Sequence, residues 1–154
     1  SGAIQWSGTA LADRFVFDGD SDRLDFVLGG QGDDYISDGA DDAFWSNDVF
    51  LGQEGNDTLI STEGNDLLRG GEGDDLLEVR LGWYDPAELQ FPIPGIEHGE
   101  VGFDVDVRGG KGWDVLTIAN SDGFTIEHHG REVIIHTIWG GTVTVHGVEE
   151  FQFL

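Results

Sequence analysis

A nine-residue period runs through the middle of the chain, and it restricts the fold more than any other feature. Aligned on glycine, the unit reads G-G-x-G-x-D-x-U-x, with U a large apolar residue. Gly29–Ser37, Gly70–Glu78 and Gly109–Thr117 fit at every position. Gly52–Ile60 has Gln53 in place of the second glycine, and Ser61–Arg69 lacks the first two. A weaker copy, Ala43–Leu51, keeps Asp48 and Phe50. Copies beginning at 43, 52, 61 and 70 stand in unbroken register. A fixed period of this kind marks a repeat architecture, in which each unit buries its apolar residue only by stacking on its neighbours.

The period explains an otherwise awkward charge distribution. Between Leu24 and Leu68 there are eleven carboxylates and no Lys or Arg, a composition that in a featureless segment signals disorder. Interleaved apolar residues at fixed spacing argue for a folded roll instead. The whole chain, 154 residues with a formal charge of −24, is long enough for one domain with a core. Its field repels phosphate backbones and anionic lipid, so neither nucleic acid nor a membrane is expected as a partner. The chain has no cysteine, which excludes disulfides, thiolate nucleophiles and Cys-ligated zinc. No run approaches a membrane span, and Ser1–Trp6 does not read as a signal peptide.

From Asp20 to Thr117 the chain resembles the RTX (repeats-in-toxin, hemolysin-type calcium-binding repeat) family of secreted bacterial proteins. The resemblance implies an all-β fold, a right-handed parallel β-roll that is a calcium-bound β-solenoid. Each unit would divide into a six-residue turn, GGxGxD, and a three-residue strand, xUx. Glycine tolerates positive φ and lets carbonyl oxygens crowd inward, while U points to the core. Two units make a coil, so turns alternate between two edges. Edge one takes the turns ending at Asp34, Asp57, Asp75 and Asp114, and edge two those ending at Asp48 and Asp66. Stacked turns then offer carboxylates and carbonyls to a hard cation that takes six to eight oxygens. The implied ligands are these six aspartates with the carbonyls of Gly30, Gly32, Gly55, Gly64, Gly71, Gly73, Gly110 and Gly112. About four Ca2+ ions are expected, three along edge one and one between Asp48 and Asp66. Turn chemistry alone accounts for Asp in glycine turns, but it does not require Asp at the sixth place each time. Asp18–Arg23 imitates the start of an EF-hand loop, yet Arg23 holds the glycine position and no Glu closes it.

The register needs two insertions, both on edge two, at 38–48 and 83–100. Residues 1–28 read as a degenerate first coil carried by Asp22-x-Leu24 or Asp25-x-Val27, residues 29–118 as the roll, and 119–154 as antiparallel capping strands. That last segment holds Phe124–His128, Glu132–Trp139, Thr142–His146 and a closing strand Val148–Leu154, with hairpin signals at Gly130 and Gly140-Gly141. An open coil end exposes unpaired backbone, so a cap is expected. His98, His128, His129, His136 and His146 carry no HExxH spacing and no GxSxG accompanies them. Carboxylates committed to calcium make poor general acids, so no enzyme is expected.

The favoured expectation is a calcium-binding module of a larger secreted protein, extracellular or at the cell surface. It would fold on calcium outside the cell and stabilise or export a neighbouring domain, in keeping with the type I secretion that the resemblance implies. The alternative is a carbohydrate-binding or adhesion module. Phe44, Trp45, Trp83 and Tyr84 fall in the edge-two insertions beside Asp41, Asp42, Asp85 and Glu88. Such aromatics would stack on a glycan ring, or would simply help to fill a thin core.

Overall fold

The computed structural model describes residues 4–17, 25–38, 47–62, 64–80, 104–119, 123–137 and 141–154. Among these residues there are fourteen strands and no helix. One sheet contains β1 (Ile4–Ser7), β3 (Asp25–Gln31), β5 (Val49–Glu54), β7 (Leu67–Glu72) and β9 (Asp104–Lys111), paired in that order and all parallel. The other stacks β2 (Arg14–Val16), β4 (Tyr35–Ser37), β6 (Thr58–Ser61), β8 (Leu76–Arg80) and β10 (Val115–Ala119), again parallel. The chain alternates between the sheets, so each coil contributes one strand to each.

Strict register puts the apolar residue of every repeat into one of two files. Val27, Phe50, Leu68 and Val107 lie side by side in the first sheet, and Ile36, Leu59, Leu77 and Leu116 in the second. All eight are fully buried, each contributing about 1.5–3 kcal/mol relative to exposure. Their strand neighbours point outward, as a period of two requires, and β3 alternates buried and half-buried positions accordingly. No single coil could bury this surface alone.

The expected C-terminal arrangement needs correction. β11 (Phe124–His129), β12 (Glu132–Thr137) and β13 (Thr142–His146) do pair antiparallel. But β13 also runs parallel to β9, and β14 (Glu150–Phe153) parallel to β10. Val143 and Val145 lie beside Val105 and Val107, and Phe151 beside Leu116, so the last two strands continue the apolar files as a further coil. Phe124 stacks on Phe153 at 4.3 Å, tying the hairpin to the final strand.

Asp25 and Val27 take the aspartate and apolar places of a repeat, as one of the two expected readings had it, but a further unit precedes them. β1 and β2 pair with β3 and β4, so Gly8–Asp13 is an edge-one turn of a coil preceding the one that contains Asp25. That unit, Gly8–Val16, keeps one glycine, the aspartate and Phe15, which packs against the core. Asp22 and Leu24 lie outside the described residues.

Candidate metal centres

Edge one is a column of aspartates held by backbone amides. The Asp57 amide donates to Asp75 Oδ1 at 2.8 Å, the Asp34 amide to Asp57 Oδ1 at 2.8 Å, and the Asp75 amide to Asp114 Oδ1 at 2.9 Å. The column continues at both ends: the Asp13 amide donates to Asp34 Oδ1 and the Asp114 amide to Glu149 Oε2, each at 2.8 Å. One oxygen of each aspartate is thereby fixed, which sets the direction of the other.

That other oxygen is the informative one. Oδ2 of Asp34, Asp57, Asp75 and Asp114 is buried and accepts no hydrogen bond. A buried carboxylate oxygen without a partner is costly, and here the same cost recurs at one position of four stacked turns. The first glycine of each turn explains how the position is kept open. A methyl group on Gly29 would collide with both Asp34 Oδ2 and the Gly52 carbonyl oxygen, and one on Gly52 with Asp57 Oδ2 and the Gly70 carbonyl. Carboxylate and carbonyl oxygens of successive coils therefore converge beside a residue with no Cβ. Glycines at the second and fourth places, such as Gly71 and Gly73, take φ of 125° and 131° and stack against the carbonyls of Gln53 and Gly55 in the coil before. Gln53, at φ 88°, adopts the same backbone at greater cost.

Edge two is built differently. The Asp25 amide donates to Asp48 Oδ1 and the Asp48 amide to Asp66 Oδ1, both at 2.8 Å, so the column exists. Asp66 Oδ2, however, accepts from Ser61 Oγ at 2.6 Å, and Ser61 occupies the place of the first glycine. Asp38 is likewise answered by the Thr62 amide and hydroxyl, at 2.9 and 2.7 Å. Gly64 keeps its positive φ of 114°. In the next coil Val105 takes the aspartate's place, since Leu67 and Leu68 pair with Asp106 and Val107, and the column ends.

A second column escaped the sequence reading. The fifth residue of each turn accepts from the equivalent amide of the following coil: Asn56 to Asp33, Asp74 to Asn56, and Trp113 to Asp74, each at 2.8 Å. On edge two Asn65 donates to Asn47 at 3.0 Å and Asp104 to Asn65 at 2.7 Å. The signal was present, as Asp or Asn fills this place in Asp33, Asn47, Asn56, Asn65 and Asp74.

Burial raises the carboxyl groups of the sixth-place aspartates. Desolvation pushes Asp57 up to about 6 and Asp75 to about 7, with their neighbours' negative charge adding to it and the amide hydrogen bonds opposing. Asp34 and Asp114 are raised for the same first reason. Asp66 reaches about 8, again through desolvation. Among the described residues no group of three or more His, Asp or Glu stands close enough to hold a metal by itself. The oxygens that converge on edge one are carboxylate and backbone carbonyl oxygens, a donor set that suits calcium better than zinc.

The remaining candidates contribute little. His129 and His136 lie 3.3 and 3.4 Å from Glu127, and His146 3.4 Å from Glu132, on the exposed or half-exposed hairpin. Phe44, Trp45, Trp83, Tyr84 and His98 lie outside the described residues.

Fold and site together define a class: a parallel β-roll of nine-residue half-coils with a file of buried, unpartnered carboxylate oxygens along one edge. Residues 20–42 and 43–79 match the RTX calcium-binding nonapeptide repeat, in four copies. RTX repeats bind Ca2+, and four copies fit about four ions. No curated protein matches the chain significantly.

Proposed function

We propose that the chain is a calcium-binding module of a larger secreted bacterial protein. It orders when calcium becomes available outside the cell and stabilises or helps export the domain beside it, without catalysis of its own. The observation that carries this reading is the set of four buried, unpartnered Oδ2 atoms in one file. A bound calcium supplies positive charge among carboxylates that otherwise repel one another. Asp34, Asp57, Asp75 and Asp114 would hold it through Oδ2, their Oδ1 atoms already anchored to the neighbouring coil. The carbonyls of Gly30, Gly32, Gly55, Gly71, Gly73, Gly110 and Gly112 would complete the sites between stacked turns. On edge two, Asp48, Asp66 and Gly64 would serve only if Asp66 released Ser61.

Ligation couples to folding, because the stacked turns do not exist in the unfolded chain. Extracellular calcium modules commonly work at dissociation constants on the order of 10⁻⁴–10⁻³ M, a range that separates a calcium-poor cytosol from the outside. The hairpin β11–β12 would cap the first sheet, covering the edge that β13 would otherwise leave open. Far-UV circular dichroism through a calcium titration, with magnesium as control and chelator to reverse it, tests the reading. Calcium-specific, reversible gain of β structure is expected. A spectrum indifferent to both calcium and chelator would falsify the proposal.

A further inference from the structure

We propose one more calcium site, at the C-terminal closure of edge one, where the turn Gly109–Asp114 meets the three-residue turn Gly147–Glu149 and glutamate replaces the aspartate of the repeat. The inference rests on the calcium reading above, but its residues lie outside the matched repeats. Strand register fixes the equivalence. His146 pairs with Arg108 and Glu150 with Val115, so Gly147 stands where Gly109 does and Glu149 where Asp114 does. The second to fifth residues of the turn are reduced to Val148 alone.

What survives this shortening is the oxygen geometry. Asp114 is fully buried, and its Oδ2 accepts no hydrogen bond. A methyl group on Gly109 would collide with both that oxygen and the Gly147 carbonyl oxygen. Gly29 and Gly52 show the same pair of obstacles within the repeats. Glu149 accepts from the Asp114 amide at 2.8 Å, as Asp114 accepts from Asp75, and its extra methylene spans the distance that the shorter turn leaves. The Glu149 and Glu150 amides both donate to the Asp114 carbonyl at 3.1 Å, which locks the two turns together. Asp114 Oδ2 and the Gly147 carbonyl thus converge beside Gly109, and the Glu149 carboxylate is anchored next to them on the Asp114 amide. With the second- and fourth-place carbonyls missing from one side, water must complete the shell of six to eight oxygens. This site should therefore fill last and empty first, pinning the closing strands to the roll only at the upper end of the calcium range.

Glu149→Gln keeps the acceptor for the Asp114 amide and removes the charge. Equilibrium dialysis of the full chain with radioactive calcium should find about one equivalent fewer bound at saturation, with the calcium-induced dichroism of the repeats retained. Unchanged stoichiometry and affinity would remove the site while leaving the module intact. A parent chain that takes up no calcium at all would remove both. As a second measure that needs no variant, the amide resonances of Gly147 and Glu149 can be followed in labelled parent protein. They should shift in a step at higher calcium than those of Gly55 and Gly73; no shift after the repeats are saturated overturns the proposal.

Discussion

The two edges of the roll carry the same aspartate at the same place in the repeat, yet they leave it in different chemical states. On edge one the first residue of the turn is glycine, and Asp57 Oδ2 faces a carbonyl of the next coil with no donor in reach. On edge two the corresponding residue is Ser61, whose hydroxyl satisfies Asp66 Oδ2 from within the turn. One side chain at the first position therefore decides whether the carboxylate is offered outward or answered internally. The comparison separates two roles that the repeat combines, stacking the coils and receiving a cation.

The sharpest way to break this contrast is to neutralise one aspartate on each edge. Asp57→Asn keeps the Oδ1-type acceptor for the Asp34 amide but turns Oδ2 into a donor. It should raise the calcium midpoint of folding about tenfold or more, on the order of 1.4 kcal/mol. Asp66→Asn should move that midpoint less than about threefold, under roughly 0.7 kcal/mol. Equal shifts would show that both edges bind alike.

Acidity gives a second, smaller test. The folded carboxyl groups of Asp57, Asp75 and Asp66 lie at about 6, 7 and 8, above the ordinary value of 3.8. The folded form thus holds protons more tightly than the unfolded one. Without calcium, stability should be greatest near pH 4 and fall as pH rises through 6 to 8. With calcium the trend should reverse, because protons compete for the same oxygens. Thermal melts in chelator and in calcium, at pH 5 and pH 8, would expose this crossing; parallel trends would contradict it.

Ser61→Ala should leave the edge-two aspartate without its internal donor, as the edge-one aspartates are. Losing the hydroxyl leaves Asp66 Oδ2 without its donor, at a cost of about 1–3 kcal/mol in the metal-free chain, measurable by urea titration near pH 4, where that form is most stable. Gln53→Gly should have the smallest effect. Relief of a backbone cost of about 1–2 kcal/mol is offset by about 0.5–1 kcal/mol of added chain entropy. A net gain of about 0–1.5 kcal/mol in the melt of the calcium form is expected, and a loss would argue that the Gln53 side chain makes a stabilising contact of its own.

Much of this was legible in the sequence. The apolar files and the alternation of the aspartates between two edges follow from a count of nine. What stayed hidden lies where the count fails. Gly8–Asp13 retains too few motif residues to stand out, so only the pairing of β2 with β4 reveals it. Glu149 sits in a turn shortened by three residues, and only the registers on either side identify its place. Hairpin signals around Gly130 and Gly140 correctly announce reversals, but local turn chemistry carries no information about which distant strand β13 or β14 will join. Ser61 was visible as a lost glycine, though its role depends on a 2.6 Å contact that spacing cannot supply.

The column of amide-to-carboxylate bonds on edge one has a consequence for engineering. Its successive members are separated by 21, 23, 18, 39 and 35 residues, yet the bond length barely changes. A coil can more than double in length at edge two and return to the same register, and loop closure predicts a charge of only about 0.6 kcal/mol for each doubling. Edge two is in this sense a graft point. Foreign loops inserted between Arg80 and Asp104 should leave the pairing of β7 with β9 in its present register.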